Sequence, residues 1–531
     1  MNLKIPIALT LLAAGSILAA PGKADTRDMN ILMIVAEDWS AFALGTYGNP
    51  VVQTPNLDRL AERGIRFDRA YCQGSVCNPS RASFMTGLRP DSTRVFGNGD
   101  VMDELVPEGA PSLAALLKQR GGPTAAIGKL VHKWEDAGRF AEGFDILEYT
   151  HDYDLPEDFP GQAAVVPAPE GGPVWAEDEA LHLPEPHGSR LRELMEERDA
   201  RLAAGEPDGW ELRKPFQQYH AEQIGHANLP EEAMEDGRIA RRSAELLSEL
   251  AASDEPFFFA VGLYATHTPL LAPAKYVDLY DPEKISPSPA RPELDRGIPD
   301  VARRFGRNYD IFNGLYPQFA RTPEREREAL AAYYACASYL DAQIGLILDA
   351  LEETGEADRT IVLFFSDHGF HLGEHGMWSK FSLFEQSTRV PLIACVPGAA
   401  GNGRASDSIV ELVDILPTLA GFWDLEVPPV VEGRDLSPLL ENPDREVKQA
   451  AYTVIPIAGL GRMVRTRDFR YSEWRKDRSW PGRRAPAYAR ELYNLREDPL
   501  EQVNLINDPL YAQKLRELSR LLERGPDTLA P

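Results

Sequence analysis

Cys77 and Arg81 stand four residues apart in Cys77-Asn78-Pro79-Ser80-Arg81, which joins a candidate nucleophile to a fixed positive charge suited to holding an anion beside it. Two acidic pairs, Glu37-Asp38 and Asp367-His368, each follow a continuous apolar run. Carboxylates delivered from two distant strand ends to one place repel each other unless a cation neutralises them, and an oxygen-rich set of this kind suits Ca²⁺ or Mg²⁺. A single Glu-Asp pair is as readily a helix cap or a surface pair, so only the grouping carries weight. Lys129, His132, His267 and Lys380 add cations and proton carriers, and each alone is as readily a structural residue.

The elements that must position these residues are legible from hydrophobic pattern. Asn30 to Ala36 (NILMIVA), Pro256 to Gly262 (PFFFAVG) and Thr360 to Phe365 (TIVLFF) are apolar runs of strand length, as parallel strands buried on both faces require. Each delivers polar residues at its carboxyl end, the pattern of an open α/β sheet with its site along that edge. Thr54-Pro55 opens a helix through LDRLAERG, Ala110 to Arg120 gives a short amphipathic segment, and Pro230 to Ala252 and Pro323 to Glu353 give long ones. Pro- and Gly-rich stretches near 152 to 188 and 268 to 322 read as long loops over the strand ends, candidates for substrate specificity. After Leu440 short strands around 452–455, 462–465 and 470–474, a turn-rich 491–495 and a helix from Pro509 to Glu523 predict a smaller α+β domain over residues 445–531, following a catalytic domain over 27–444.

Read with Met85-Thr86-Gly87-Leu88-Arg89, the Cys77 to Arg81 stretch resembles the sulfatase signature. The likeness extends in family order through Gly128-Lys129-Leu130-Val131-His132, Ala265-Thr266-His267-Thr268-Pro269 and the run from Ser366 to Lys380. It resembles the iduronate-sulfatase members, also through Tyr339-Leu340-Asp341 and Arg465 to Tyr471. The resemblance implies a large, mostly parallel sheet sandwiched by helices, of the alkaline-phosphatase and sulfatase type. It implies that Cys77 is oxidised by a maturation enzyme to formylglycine, whose hydrated aldehyde attacks the sulfur of a sulfate ester. It also implies a divalent ion, usually Ca²⁺, held by Glu37, Asp38, Asp367, His368 and the residue at 77; Glu37 stands where the family more often has Asp. Arg81, Lys129 and Lys380 would then surround the sulfate oxygens, His132 would act as base, and His267, helped by Lys380, would protonate the departing alcohol. The implied substrate is a sulfated glycan carrying a 2-O-sulfated uronic acid. The competing expectation is a phosphodiester or phosphonate monoester hydrolase on the same fold.

Composition sets outer limits. A chain of 531 residues, 43% apolar, can bury a large core, and its formal charge of −26 argues against a nucleic-acid partner. The apolar run from Ile5 to Leu18, flanked by Lys4 and small residues, reads as a signal peptide over residues 1–24 and predicts export; no later run is long enough to span a bilayer. Four cysteines are too few for a disulfide framework; Cys336 and Cys395 read as buried hydrophobes, and a Cys72–Cys77 bond would preclude the proposed chemistry. Against the acidic background, ten arginines and lysines lie between Arg462 and Arg490. They form either a positive wall for an anionic glycan, with Arg465, Arg467, Arg470 and Trp474 as substrate contacts, or a face that pairs with the acidic remainder.

Overall fold

A computed structural model describes residues 25–150, 163–165, 186–207, 210–304, 312, 320–477 and 485–526. The expected signal peptide, most of the 152–188 stretch and Arg478, Arg483 and Arg484 lie outside them. In chain order the strands are β1 (Asn30–Ala36), β2 (Ile65–Tyr71), β3 (Thr124–Gly128), β4 (Ile146–Tyr149), β5 (Ala163–Val165), β6 (Ile224–Ala227), β7 (Phe258–Gly262), β8 (Leu270–Pro273), β9 (Thr360–Ser366), β10 (Arg389–Val390), β11 (Leu392–Cys395) and β12 (Arg404–Glu411). All but β6 and β8 form one ten-stranded sheet, in which β2-β11-β9-β1-β7-β3-β4-β5 run side by side and β10 and β12 also pair with β2. β6 and β8 make a separate parallel pair.

The three apolar runs lie together at the centre, β1 between β7 and β9, all parallel. Every residue of β1 is buried, and alternation sends its side chains to two different cores. Leu32 and Ile34 join Phe259, Val261 and Phe364 beneath helices Pro55–Arg63, Glu235–Leu250 and Pro323–Glu353. Ile31, Met33 and Val35 join Phe258, Ala260 and Phe365 beneath helices Cys77–Thr86, Leu113–Leu117 and Ile415–Phe422. The sheet is thus sandwiched by helices, as the apolar runs require.

Beyond it, β13 (Ala450–Ile455), β14 (Leu460–Thr466), β15 (Phe469–Arg475) and β16 (Ala489–Asn494) form an antiparallel meander. Helix Ala512–Arg524 covers one face by setting Leu518 and Leu522 against Val464, Tyr471 and Leu492. The meander is tied to the main sheet where Val454 bridges Gly74 and the Thr453 hydroxyl donates to the Cys72 carbonyl at 2.6 Å.

Two expectations need correction. The segment 491–495, read as turn, is mostly strand β16, whose Leu492 and Tyr493 are buried in the small domain. The 268–322 stretch is not all loop, because Leu270–Pro273 pairs with β6 and a helical turn follows at Ala274–Val277. Helix Cys77–Thr86 carries no amphipathic pattern, because all ten of its residues are buried. No helix among the described residues is long and apolar enough to cross a membrane.

Candidate active site

Register brings the acidic pairs together. Ala36 of β1 lies opposite Ser366 of β9, so Glu37-Asp38 and Asp367-His368 leave the sheet side by side. Asp367 Oδ1 accepts the backbone N–H of Asp38 at 3.1 Å and of His368 at 2.9 Å, and the Ser366 hydroxyl accepts the N–H of Trp39 at 2.9 Å. Asp38 itself adopts φ 57°, a left-handed conformation costly for a residue with a Cβ, which turns its carboxylate back over the sheet edge.

Helix Cys77–Thr86 begins at this edge. Its first residue places Sγ 3.3 Å from Glu37 Oε1, 3.4 Å from His368 Nε2 and 3.5 Å from Lys380 Nζ. The next turn locks the helix down: the Ser80 hydroxyl donates to the Asp367 carbonyl at 2.5 Å, and Arg81 Nε donates to Asp367 Oδ2 at 3.0 Å. Arg81 also donates to the Lys129 carbonyl through one terminal nitrogen, while the other is buried without a partner. Lys380 Nζ reaches both Asp38 oxygens at 2.8 Å, and Lys129 pairs with Glu37 Oε1.

The electrostatics follow from this packing. Burial opposes ionisation of Glu37, but Lys129, His267, Arg81 and Lys380 prevail and hold its carboxyl well below the usual range. Burial likewise opposes ionisation of Asp367, and His368 and Arg81 pull it down. Burial pushes the Cys77 thiol up, with Lys380 acting against it, so an unmodified sulfur here stays protonated and is a poor nucleophile. None of the four cysteines is in a disulfide. Cys72 sets its thiol against the Ser387 carbonyl, away from Cys77.

The donor set fits a divalent cation. Three groups of atoms each lie within 4.8 Å of one another: Asp38, Cys77 and His368; Glu37, Cys77 and Asp367; and Glu37, Asp38 and His267. His368 Nδ1 lies 3.0 Å from the Gly369 carbonyl, which can only accept, so Nδ1 carries a proton and Nε2 is the nitrogen that faces Asp38 and Cys77. Glu37 Oε2 is buried with no hydrogen-bond partner, an acceptor left over for a cation.

The two proton carriers flank the cluster. His132 is half-buried with Nδ1 unpartnered, and burial followed by Lys129 holds its protonation well below the ordinary imidazole range. His267 sets Nδ1 2.8 Å from the Thr268 carbonyl, which by the same argument puts a proton on Nδ1 and leaves Nε2 as the nitrogen free to exchange one. His371 and His375 are buried, the first against the Ser382 hydroxyl and the second against Asp295.

The expected substrate contacts near the carboxyl end are corrected by their own partners. Arg470 is fully buried between Glu501 and Glu491, with its guanidinium over the rings of Phe384 and Tyr493. Arg465 is buried against Glu385, and Trp474 is 1% exposed in a cluster that joins the meander to Met377, Leu383 and Phe384 of the larger domain. Arg467 is exposed but spans Asp407 and Glu446. The three arginines pair with the acidic remainder, two of them in the interior, and do not form an open positive wall.

Other residues that shape the site carry no motif. Asp236, at the start of helix Glu235–Leu250, accepts the N–H groups of Tyr264 and Ala265 at 2.8 Å each and so anchors the segment leading to His267. Tyr333, in helix Pro323–Glu353, donates its hydroxyl to the Asp38 carbonyl at 2.7 Å. A buried tyrosine or aspartate in an apolar stretch gives no sequence signal beyond its polarity.

A family model described as Sulfatase matches residues 29–425, spanning every group in the cluster. The chain belongs to the sulfatase family. A second model, N-sulphoglucosamine sulphohydrolase, C-terminal, matches residues 373–526 of this sulfatase, including the whole meander. Iduronate 2-sulfatase of Mus musculus is 29% identical over 94% of the chain and 95% of its own length. Among solved structures, phosphonate monoester hydrolase of Agrobacterium radiobacter superposes with a TM-score of 0.67 at 23% identity, covering 93% of this chain and 94% of that one. A 2-O GAG sulfatase superposes with a TM-score of 0.65 at 21% identity, covering 94% and 91%. Both share the fold. The protein is accordingly a sulfuric ester hydrolase.

Proposed function

We propose that this sulfatase removes the 2-O-sulfate from a sulfated uronic acid in a glycan, using a formylglycine made from Cys77 by a maturation enzyme. The observation that carries the catalytic reading is the position of the Cys77 side chain, within 3.5 Å of Glu37, His368 and Lys380. When present, a divalent cation, Ca²⁺ in this reading, supplies positive charge at the sulfate oxygens, and formylglycine supplies the attacking hydroxyl. Glu37, Asp38, Asp367, His368 and the residue at 77 would hold the cation, the carboxylates and the single nitrogen matching a hard-ion site.

The remaining work belongs to residues already in place. Arg81, Lys129 and Lys380 bring three cationic heads to the cluster, where low dielectric strengthens their hold on a sulfate group. His132, kept neutral at neutral pH by burial and by Lys129, is ready to take a proton from the group at position 77. His267 hands a proton to the departing sugar oxygen, and Lys380 lowers the charge around it. The 2-O-uronate assignment is supported by the likeness to mouse iduronate 2-sulfatase, which runs nearly end to end. Residues 1–24 serve in this reading as a signal peptide, which takes the enzyme out of the cytoplasm to its substrate.

Peptide mass spectrometry across residues 72–89 tests the cofactor: conversion of Cys77 lowers the mass by about 18 Da, and an intact thiol in fully active enzyme refutes the mechanism. Cys77→Ser should fold normally and lose turnover. For the substrate, activity on a 2-O-sulfated iduronide should exceed that on a 6-O-sulfated glucosamine and on an aryl phosphonate monoester. A preference for the phosphonate would favour the competing hydrolase reading.

A further inference from the structure

We infer that the buried Tyr333 hydroxyl is a positioning group that sets the affinity of the acidic cluster for its cation, by holding Asp38 in its left-handed conformation. This rests on the cation-binding reading above.

Tyr333 is fully buried in helix Pro323–Glu353 and supplies no ligand itself, yet it touches three of the segments that carry the cluster. Toward the end of β1, its hydroxyl donates to the Asp38 carbonyl at 2.7 Å and accepts the Ser40 N–H at 2.9 Å. These bonds bracket the turn that reverses the chain at Asp38. Toward the His267 segment, the same hydroxyl lies 2.9 Å from Thr266 Oγ1, which itself lies 3.0 Å from the Asp38 carbonyl. Toward the β9 loop, its ring stacks on Phe370 at 5.7 Å between centroids, two residues beyond His368.

The hydrogen count is complete. The Asp38 carbonyl has two lone pairs and two hydroxyl neighbours, and the tyrosine oxygen donates once and accepts the Ser40 N–H. A non-glycine residue at φ 57° persists only where its surroundings hold it, and here Asp367 holds the Asp38 N–H, Lys380 its carboxylate, and one phenol and one threonine its carbonyl. With the hydroxyl gone, Asp38 keeps only Thr266 as a side-chain donor to its carbonyl, and Ser40 N–H loses its acceptor. The carboxylate then loses one of the backbone anchors behind it, with the Asp38 N–H on Asp367 left to hold the other side of the turn. Partners of this kind, one bond behind a ligand, govern cation affinity by about 10- to 100-fold.

The test is calorimetric titration of CaCl₂ into chelator-treated, full-length protein, comparing wild type, Tyr333→Phe, Thr266→Val and Thr266→Ser. Tyr333→Phe should weaken Ca²⁺ binding about tenfold or more, Thr266→Val less, and Thr266→Ser, which keeps the hydroxyl, should bind as wild type. Activity of Tyr333→Phe should recover toward wild type as Ca²⁺ is raised. Lower thermal stability of the Ca²⁺-free variant with unchanged Ca²⁺ affinity would reduce Tyr333 to a packing residue and overturn the inference. If Tyr333→Phe does not fold, an unchanged affinity in Thr266→Val has the same force. Absence of Ca²⁺ binding by the wild type would instead refute the cation-binding reading itself.

Discussion

Replacing Arg470 with methionine separates a structural ion pair from a substrate contact. The guanidinium has no exposed surface, and it faces Glu501 and Glu491, whose side chains are 0% and 1% exposed. Methionine fills much of the stem volume but removes the charge, the bond to Ser472 at 2.7 Å and the contacts with the Phe384 and Tyr493 rings. Breaking a buried pair from one side costs roughly 3–5 kcal/mol, because the partner charge stays behind. For 531 residues, an unfolding entropy of about 2 cal/mol/K per residue gives roughly 1 kcal/mol/K, so the melting point should fall by about 3–5 °C. Burial already pushes the Glu501 carboxyl up. Protonation therefore relieves the stranded charge, and the deficit should shrink as pH falls from 8 to 5. Adding Glu501→Gln should restore part of the loss at pH 8. Differential scanning fluorimetry at fixed Ca²⁺, with KM for a sulfated sugar measured in parallel, checks each point. An unchanged melting point with a tenfold rise in KM would refute the reasoning and return Arg470 to the substrate.

Two further outcomes follow from the site. His267→Ala should reduce turnover of alkyl sulfate esters by roughly 10²–10⁴ while sparing aryl sulfates with acidic phenols, since only the former need a proton on leaving; equal losses on both would remove His267 from that role. Asp236 is buried, and that burial pushes its carboxyl up to about 7. Because the raised value favours the protonated native state, the stabilising contribution is full below the ordinary carboxyl range and is lost as pH rises toward 7. It falls by at most about 1.4 kcal/mol per pH unit. The stability of wild type relative to Asp236→Asn, followed by urea unfolding, should therefore decline from pH 4 to 7, and a difference that rises over that range would refute it.

The central strands and the longest helix were readable because burial on two faces leaves an unbroken apolar run, and a long apolar face repeats at helical spacing. β1 and helix Pro323–Glu353 start and stop where pattern predicts. Helix Cys77–Thr86 was not readable as a helix, since a wholly buried helix that aims Ser80 and Arg81 at Asp367 has no polar face. The cluster was legible through motif residues, which chemistry restricts to a few types. Its supports were not: Tyr333 and Asp236 act through hydrogen bonds across long sequence separations. The basic segment misled because composition records charge but not its partners. Arg465 and Arg470 find theirs in Glu385 and Glu501, from other parts of the chain.

The pairing of Ala36 with Ser366 also limits how the site can be altered or transplanted. Because both acidic pairs leave their strands at the same rung, inserting or deleting one residue in β1 alone would displace Glu37 and Asp38 by about 3.3 Å relative to Asp367 and invert their facing. Loop exchange over the strand ends carries no such penalty. A designer seeking new specificity can therefore rebuild the rim freely, whereas anyone moving this chemistry to another scaffold must carry β1 and β9 together as a single calibrated part.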